Sequence, residues 1–378
     1  MNILFLQSSS DLYGASKILV AVTALCRERS HNVTVVLSEH GQLSEKLIGS
    51  GVEVIILDLG VLRRKYMSIS GVLNRAAATR KAFYSLKKIC RERNIDLIYS
   101  NTTGVIAGTF VARSCGIRHI WHLHEIIEKP VLLFRIISRL LDQKQNRVIA
   151  VSMAVKKYWS KHVDPDRMTV LYNGIDHWLF TGKETSFRKE LSISDDAVVI
   201  GMVGRVHPWK GQDYFFRIAG ILKKEFPHAV FVSVGDAFPG NEYLYDKLDT
   251  IIREEELQDV VKQVRFREDI ANVYHSFDIF ILPSILPDPA PLVVTEAMAS
   301  SLPVVITEQG GAMEMIEPGI SGIVIPINEP EKAAALIAPL IIDKKKRTGM
   351  GQNAHKRIIE HFSRESFNKK IIDFIEQA

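Results

Sequence analysis

Short apolar segments alternate with amphipathic segments along nearly the whole chain, and this alternation restricts the fold more than any other sequence feature. Strands of parallel sheets are short and apolar because both of their faces are buried, and helical crossovers join them. Predicted strands lie near 2–7, 33–37, 52–57, 96–100, 119–123, 147–151, 168–171, 197–203, 229–234, 262–266, 278–282, 303–306 and 323–325. Predicted helices include 15–29, 210–226, 242–256, 269–276, 291–300, 329–342 and a final helix near 363–378. The pattern predicts an α/β chain built from doubly wound units.

A polar stretch, 177–196, divides this pattern into two series. A chain of 378 residues exceeds the usual size of one domain. We therefore expect two Rossmann-like domains, 1–185 and 196–362, with a polar linker near their junction. Because parallel sheets bind ligands beyond the carboxyl ends of their strands, we expect the ligand in a cleft between the two domains.

Composition narrows the class of protein. Hydrophobic residues make up 47% of the chain and charged residues 24%, which is ordinary for a globular protein. No segment approaches the ~20 apolar residues of a membrane-spanning helix, and no secretory signal is recognisable at the apolar start. Cys26, Cys90 and Cys115 lack the spacing of metal ligands and are typical of a reducing compartment. We expect a cytoplasmic protein with no metal site, and the net charge of +5 permits an anionic partner without requiring one.

The most specific motif contains two acids, Asp288 and Glu296, on either side of a predicted helix start. Pro291 suits the first position of that helix, which leaves the N–H groups of Leu292 and Val293 available to a phosphate. Glu296 would lie further along the helix, where its carboxylate could accept two sugar hydroxyls, and Asp288 would reach another part of the same ligand. A capped helix with one solvated glutamate is the commoner explanation of so short a motif.

Basic residues follow an apolar strand in a second motif. Gly204 and Arg205 end the strand, and Lys210 precedes the next helix. A planar guanidinium and a compact ammonium together suit a diphosphate. Two basic loop residues alone are more often solvated surface, but an anion-binding helix start in the same domain favours the phosphate interpretation.

Small residues join the first strand to the first helix. Tyr13, Gly14, Ala15 and Ser16 lie at this junction, where a residue without a bulky side chain lets a ligand approach the backbone. An ordinary turn explains the same residues equally well.

A histidine pair ends a strand in the first half. Because side chains alternate along a strand, His122 and His124 share one face. A histidine there could donate a hydrogen bond to a sugar hydroxyl, although a structural histidine is commoner and no third ligand supports a metal site. Gly310 and Gly311 follow a later strand and either present N–H groups to the ligand or form a simple turn.

Together these motifs resemble the family-4 group of retaining glycosyltransferases, which have the GT-B fold of two facing Rossmann-like domains. The resemblance covers nearly the whole chain, and its motifs occur in the expected order. It rests on Tyr13–Ser16, His124-Glu125, Val151-Ser152, Asn173–Asp176, Gly204-Arg205, Lys210-Gly211, Asp288, Glu296–Ala299, Pro303–Val305 and Gly310-Gly311.

The resemblance implies a role for each site residue. In that family an arginine and a lysine bind the donor diphosphate, which assigns this role to Arg205 and Lys210. The second acid of the motif holds the nucleotide ribose and the first contacts the donor sugar, which assigns these roles to Glu296 and Asp288. The first domain, with the loop Tyr13–Ser16, would lie on the acceptor side, and the second domain would bind the donor. His124 would lie near the transferred sugar, and the final helix would pack on the first domain.

The implied reaction moves a sugar from a nucleoside-diphosphate sugar, in the UDP or GDP form, to a glycan or lipid-linked acceptor with retention of anomeric configuration. No metal, further cofactor or nucleic acid is implied, and surface polysaccharide or glycoconjugate synthesis is the expected setting. Three alternatives stay open: an epimerase of nucleoside-diphosphate sugars, a phosphorylase on the same fold, and a sugar-nucleotide-binding module that has lost transfer activity. The phosphorylase would need a phosphate or pyridoxal site, for which the sequence offers no strong candidate.

Four positions depart from the family pattern. Asp288 stands where glutamate is commoner, and Tyr13 stands where the first of two glycines is usual. Ser301 occupies a position where the family has glycine and where a positive φ is expected. The segment 264–269 is shorter than the glycine-containing loop that relatives carry near the nucleobase, so the sequence does not predict the base.

The segment 61–94 is strongly basic, with ten lysine or arginine residues and one acid, Glu92. As a helix it would carry an apolar stripe with basic residues along its flank. The predicted stripe consists of Val72, Ala76, Thr79, Phe83, Leu86 and Cys90. Such a helix can lie on an anionic membrane surface, so the two interpretations are a peripheral membrane contact and a domain helix whose stripe faces the core.

Overall fold

The computed structural model describes residues 1–62, 66, 68–127, 130–182 and 186–377. They form two compact units, the first made of Met1–Asn173 with Glu365–Ala378 and the second of Gly174–Arg364. Each unit contains a parallel sheet whose strands alternate with helices, which confirms the predicted α/β fold of two Rossmann-like domains.

The strands of the first unit are β1 (Asn2–Gln7), β2 (Asn32–Leu37), β3 (Glu53–Ile56), β4 (Leu97–Ser100), β5 (Arg118–Leu123), β6 (Asn146–Ala150) and β7 (Met168–Val170). Its helices are α1 (Gly14–Glu28), α2 (Gln42–Gly49), α3 (Ile69–Glu92), α4 (Ala107–Cys115), α5 (Val131–Leu141) and α6 (Met153–Trp159). The described strands pair in the order β3-β2-β1-β4-β5-β6-β7, and each pair is parallel. Both faces of β1 are buried, as its unbroken apolar run from Ile3 to Leu6 predicts.

The strands of the second unit are β8 (Val199–Val203), β9 (Val230–Val234), β10 (Val261–Val264), β11 (Ile279–Leu282), β12 (Val304–Thr307) and β13 (Gly322–Ile325). Its helices are α7 (Ser186–Glu190), α8 (Gln212–Glu225), α9 (Tyr243–Glu254), α10 (Ile270–His275), α11 (Leu292–Ala299), α12 (Ala312–Met315), α13 (Pro330–Ile342) and α14 (Lys344–His361). The strand order is β10-β9-β8-β11-β12-β13. The sequence patterns had not predicted α7, α12 or α14.

The strand order of each sheet reverses at one point. In the first unit the reversal lies between β1 and β4, and in the second it lies between β8 and β11. Loops leave the carboxyl ends of these neighbouring strands in opposite directions, which opens a crevice in which such sheets bind ligands. Three of the predicted motifs follow β1, β8 and β11, whereas the histidine pair lies at the end of β5 and the glycine pair follows β12.

The last helix, α15 (Arg364–Glu376), belongs to the first unit although it follows the second in sequence. Its four predicted apolar contacts, Phe367, Ile371, Ile372 and Ile375, are buried. The Arg147 guanidinium at the start of β6 lies 4.2 Å from the centre of the Phe374 ring on this helix.

The boundary between the units lies at 173 rather than at the predicted 185. The segment that follows is tied to the second unit, because Ile175 pairs with Ser363 and a ring nitrogen of His275 lies 2.9 Å from the carbonyl oxygen of Phe180. The predicted linker 177–196 is also structured, since Phe180 and Phe187 are buried. Its residues 183–185 lie outside the described residues.

Within the basic segment 61–94, Ile69–Glu92 form α3, and the predicted apolar stripe is divided between two environments. Leu86 and Cys90 are buried beside Ala82 in the core of the first unit, so this half of the helix fits the core interpretation. Val72 is exposed at the other end of the stripe. The basic residues 63–65 lie outside the described residues. No helix in the described ranges combines the length and the apolar character that crossing a membrane requires.

Candidate functional site

Loops that follow β8 and β11 pack against each other at the reversal point of the second sheet. Gly211 has φ +78°, and a Cβ there would lie 2.1 Å from the carbonyl oxygen of Pro283. Only glycine permits this approach without displacing the backbone. The N–H of Ile285 also donates to the carbonyl of Trp209 at 2.8 Å. Lys210, which precedes Gly211, is therefore fixed against the loop that carries Asp288.

Lys210 and Asp288 form an ion pair that the sequence did not predict. The ammonium Nζ donates to the carboxylate Oδ2, and both side chains are mostly buried. The sequence had given these residues separate roles, at the diphosphate and at the donor sugar. In the structure Asp288 contacts Lys210 directly and so fixes where its charge lies.

The glycine pair after β12 forms a turn around Asp288. The N–H of Gly311 donates to the carbonyl of Asp288 at 2.8 Å. Gly310 has φ +70°, and a Cβ there would lie 2.5 Å from the same carbonyl oxygen. Of the two predicted explanations for these glycines, the turn accounts for the N–H of Gly311. Three neighbouring strands, β8, β11 and β12, thus contribute loops that meet at the Lys210–Asp288 pair.

Arg205 follows β8, and its guanidinium stacks on an aromatic ring. The central guanidinium carbon lies 3.4 Å from the centre of the Phe238 ring, and Gln212 Nε2 donates to the Arg205 carbonyl at 2.8 Å. Stacking uses the face of the guanidinium, whereas its N–H donors lie along the edge. The sequence prediction missed Phe238, an aromatic residue in the loop after β9, which is the next strand of the sheet.

The helix start near the acid motif differs by one position from the prediction. Pro291 is the N-cap, with φ −71° and ψ 107°, and α11 begins at Leu292. Proline fixes its own φ but leaves ψ adjustable, so it is compatible with the N-cap as well as with the first helical position. The first turn contains no acid and no side chain caps it. The N–H groups of a first turn lack intrahelical partners, and the helix dipole favours an anion there.

Glu296 lies in the interior of α11, with 7% of its surface exposed. The buried hydroxyl of Tyr274 donates to its Oε2 at 2.8 Å. Burial is the largest cause that raises the Tyr274 pKa well above its usual value, and the neighbouring carboxylate adds to it. The interpretation of Glu296 as a solvated helix residue is therefore wrong. Tyr274, on α10, was not predicted from the sequence.

In the first unit, the motif Tyr13–Ser16 surrounds the start of α1. Tyr13 is the N-cap and Gly14 the first residue of the helix, whose first turn contains no acid. Ser16 is buried, and Gln7 at the end of β1 donates to its hydroxyl at 3.4 Å.

The two histidines share one face of the sheet edge, as alternation along the strand predicts. The rings of His122 and His124 lie 4.1 Å apart, centre to centre. His122 Nδ1 lies 2.7 Å from the Tyr99 hydroxyl, and His124 Nε2 lies 3.1 Å from Asn101 Oδ1. Burial lowers the pKa of His124 to about 3 and holds that of His122 well below its usual value. Both rings are therefore neutral near pH 7.

The carboxylate of Glu125 is held by hydrogen bonds from neighbouring residues. Its carboxylate accepts the Thr102 hydroxyl at 2.6 Å and the N–H groups of Thr103 and His124 at 3.4 and 3.2 Å. Burial raises the Glu125 pKa, and these hydrogen bonds oppose the increase. Glu125 therefore fixes the backbone next to His124.

Two further departures from the family pattern are Ser301 and the shortened segment 264–269. Ser301 has φ +59°, which confirms the prediction of a positive φ where relatives have glycine. In the shortened loop after β10, Arg267 contacts Asp269 at 2.8 Å and Glu190 at 2.6 Å. Phe266 is exposed in the same loop.

Across the described ranges, no group of three or more histidine, cysteine or acidic residues could hold a metal ion.

Comparisons with known proteins follow the same division of the chain. The family model described as Glycosyltransferase Family 4 matches residues 13–179, and the model described as Glycosyl transferases group 1 matches residues 183–357. An uncharacterized glycosyltransferase of Methanocaldococcus jannaschii is 26% identical over 78% of this chain and 72% of its own length. An Escherichia coli α-1,3-galactosyltransferase, which transfers from UDP-galactose to N-acetylglucosamine-diphosphoundecaprenol, is 25% identical over 75% of this chain and 76% of its own.

Solved structures agree over the full length. The Anabaena protein HepE, crystallised with UDP, superposes with a TM-score of 0.88 at 26% identity and covers 100% of both chains. The same protein has been crystallised with UDP-glucose. A sucrose-phosphate synthase of Thermosynechococcus elongatus has the same fold, with a TM-score of 0.81 at 17% identity over 100% of this chain and 98% of its own.

Proposed function

We propose that this chain, which belongs to the GT-B-fold glycosyltransferases, transfers a sugar from a nucleoside-diphosphate sugar with retention of anomeric configuration. The observation that carries the proposal is the meeting of Arg205, Lys210 and the first turn of α11 at one sheet edge. The two cations follow β8, and α11 follows the neighbouring β11. Such a group of positive charges and oriented N–H groups suits a diphosphate.

Departure of the diphosphate is the step that these groups would assist. Negative charge develops on the leaving phosphate oxygens, and preorganised cations stabilise that charge without reorganising. An ammonium has three N–H donors, so Lys210 can donate to a phosphate while it keeps its contact with Asp288. In a retaining transfer the acceptor would attack from the face that the nucleotide leaves.

Glu296 would bind the ribose of the nucleotide. A carboxylate has two oxygens and about four lone-pair sites, so one that accepts from Tyr274 can also accept from ribose hydroxyls. Tyr274 would hold the Glu296 carboxylate in one orientation. The HepE complexes with UDP and UDP-glucose favour a uridine nucleotide over GDP as the donor form.

The acceptor would be a glycan or a lipid-linked glycan, in the synthesis of a surface polysaccharide or glycoconjugate. Support comes from the Escherichia coli relative, whose acceptor is a diphosphoundecaprenol-linked sugar. We propose that no metal ion and no cofactor takes part, because Arg205 and Lys210 supply the charge that a metal would otherwise provide.

Transfer can be tested with UDP-sugars and GDP-sugars in excess EDTA. We expect one or a few UDP-sugars to raise the thermal stability of the protein, since a ligand that binds the folded state stabilises it. With the preferred donor and a lipid-linked acceptor, NMR of the product should show the anomeric configuration of the donor. An inverted product, complete reversible loss of turnover in EDTA, or donor binding without transfer to any acceptor would each refute part of the proposal.

A peripheral contact with an anionic membrane would bring the enzyme to a lipid-linked acceptor. The exposed part of α3 supports such a contact, because apolar Val72 and Leu73 and basic Arg80 and Lys81 are all exposed on this helix. Co-sedimentation with vesicles that contain anionic lipid should fall in high salt and in Leu73→Glu. The matched control is Ile359→Glu, which changes an exposed residue of α14 in the second unit. Binding that ignores lipid charge, salt and Leu73 would contradict the contact.

A further inference from the structure

A network of buried and partly buried hydrogen bonds joins the start of α1 to His124. Asn101 is the central residue of this network and has no exposed surface. Its Nδ2 lies 3.1 Å from the Ala15 carbonyl and 3.2 Å from Gln7 Oε1, and its Oδ1 lies 3.1 Å from His124 Nε2. None of the side chains in this network carries a charge near pH 7. The network is therefore constrained by which atom donates and which atom accepts each hydrogen bond.

The Ala15 carbonyl fixes the orientation of the Asn101 amide. A backbone carbonyl can only accept a hydrogen bond, so the Asn101 atom beside it has to be the NH₂ group. The amide oxygen then faces His124. Every donor in this network therefore faces an acceptor in only one orientation of the Asn101 amide.

The orientation of Asn101 in turn fixes the tautomer of His124. The amide oxygen can only accept, so His124 Nε2 has to carry the proton that it donates. A neutral imidazole has a single N–H, and Nδ1 therefore keeps its lone pair. Nδ1 makes no hydrogen bond with any described residue, but it is not sealed from solvent, since His124 is only half-buried.

We propose that Asn101 is a positioning residue, which holds His124 in the Nε2-protonated tautomer so that Nδ1 accepts a hydrogen bond from a hydroxyl of the transferred sugar. The inference rests on the proposed function and on the family resemblance, which implies that His124 lies near that sugar. It reverses the direction of the hydrogen bond expected from the sequence, in which the histidine donates. Burial supports the neutral ring independently of this geometry, because it keeps the His124 pKa near 3.

Nitrogen NMR of the wild-type enzyme tests the tautomer without any variant or substrate. We expect the His124 signals at neutral pH to show a protonated Nε2 and an unprotonated Nδ1. A protonated Nδ1, or an imidazolium, would overturn the proposal. This measurement stands even if no nucleoside-diphosphate sugar is a donor, so it separates the inference from the proposed function.

Two replacements of His124 test which nitrogen contacts the substrate. In His124→Asn the amide can place an oxygen where Nδ1 lies, whereas in His124→Gln it reaches the position of Nε2. We expect His124→Asn to retain a kcat about tenfold higher than His124→Gln, because a hydrogen bond of ~1.4 kcal/mol corresponds to that factor. Equal kcat values, or the reverse order, would contradict a contact through Nδ1.

A matched pair of asparagine variants tests Asn101 itself. Asn146 at the start of β6 is also buried, and its Oδ1 lies 3.1 Å from Nδ1 of His119, a histidine of β5. We expect Asn101→Leu to lower kcat about tenfold, with little change in the donor KM, and to give His124 a mixture of tautomers. Asn146→Leu should lower stability and leave kcat unchanged. An equal loss of kcat in both variants, or a single unchanged tautomer in Asn101→Leu, would refute a positioning role.

Discussion

Asp288 makes one contact with its carboxylate and another with its backbone. The carboxylate accepts from Lys210, and the carbonyl accepts from the N–H of Gly311. The residue is therefore held at a fixed point between two loops, where a longer side chain would displace the lysine. This explains how aspartate can serve where glutamate is commoner in the family pattern.

Replacing the carboxylate should affect turnover more than donor binding. We expect Asp288→Asn to lower kcat about 100-fold, because Lys210 loses the group that positions it against the leaving diphosphate. Asp288→Glu should also lower kcat, since its extra methylene shifts the ammonium. The measurement is steady-state kinetics with the preferred donor.

A second lysine–aspartate pair of the same unit provides the control for this variant. Lys223 contacts Asp259 at 2.7 Å on the surface, and Asp259→Asn should leave kcat unchanged. Wild-type kcat and donor preference in Asp288→Asn and Asp288→Glu would show that Asp288 serves only to build the loop.

The hydroxyl of Tyr274 should matter for donor binding. In Tyr274→Phe the Glu296 carboxylate loses the hydrogen bond that orients it toward the ribose. We expect the donor KM to rise about tenfold with kcat little changed, because the contact is equal in the ground and transition states. Tyr214→Phe is the control, since that hydroxyl donates to the Pro326 carbonyl at 2.7 Å. A fall in kcat at constant KM would place Glu296 in the chemical step instead.

Single residues were predictable where their chemistry follows directly from a strand end. Arg205 and Lys210 stand out because they follow an apolar strand, and Glu296 stands out because it lies in the helix after the neighbouring strand; their roles stay predictions. Their partners were not predictable, since Tyr274 lies 22 residues from Glu296 and the Asp288 pairing with Lys210 spans 78 residues. Such contacts depend on how loops from different strands pack, which no local pattern contains.

At the scale of elements, β5 has an unusual concentration of buried histidine. His119 and His122 lie on the strand and His124 just beyond it, and burial lowers the pKa of each. The unfolded chain binds protons at these residues below its ordinary pKa of 6.5, whereas the folded chain does not until about pH 3 for His119 and His124. Their contribution to stability is therefore complete above pH 6.5 and is lost as the pH falls toward 3.

Acid should accordingly weaken the first unit. We expect the free energy of unfolding to fall by about 1.4 kcal/mol per pH unit for each buried histidine as the pH drops from about 6 to about 4. Urea unfolding across this range measures the slope. His119→Gln should reduce the slope, because it removes one of the groups that bind a proton only in the unfolded chain. A slope that His119→Gln leaves unchanged would contradict this account.

Elements were predictable to the extent that their periodicity reflects burial. The strand positions and α15 follow from apolar runs and helical spacing, and the structure confirms them. The start of α11 was displaced by one residue because proline suits both the N-cap and the position after it. The stripe of α3 was misleading in part, since a helix that leaves the core along its length shows one continuous pattern for two environments.

At the scale of the whole molecule, the two units do not coincide with two consecutive halves of the sequence, because the last helix belongs to the first unit. The polar stretch after 177 indicated two domains, but the boundary lies earlier because Ile175 and Phe180 are held by the second unit. The return of α15 to the first unit could be inferred only from the family resemblance. Periodicity shows that a helix has a buried face and does not show which partner covers it.

The central claim is that Lys210 stabilises the leaving diphosphate of a nucleoside-diphosphate sugar, and kcat/KM of Lys210→Ala in excess EDTA tests it most directly. We predict a loss of about 2–4 kcal/mol in transition-state stabilisation, or about 30- to 1000-fold, because one preorganised charge is removed. Lys223→Ala, which breaks the surface pair with Asp259, should retain the wild-type value. A wild-type kcat/KM in Lys210→Ala, with donor transfer intact, would contradict the account.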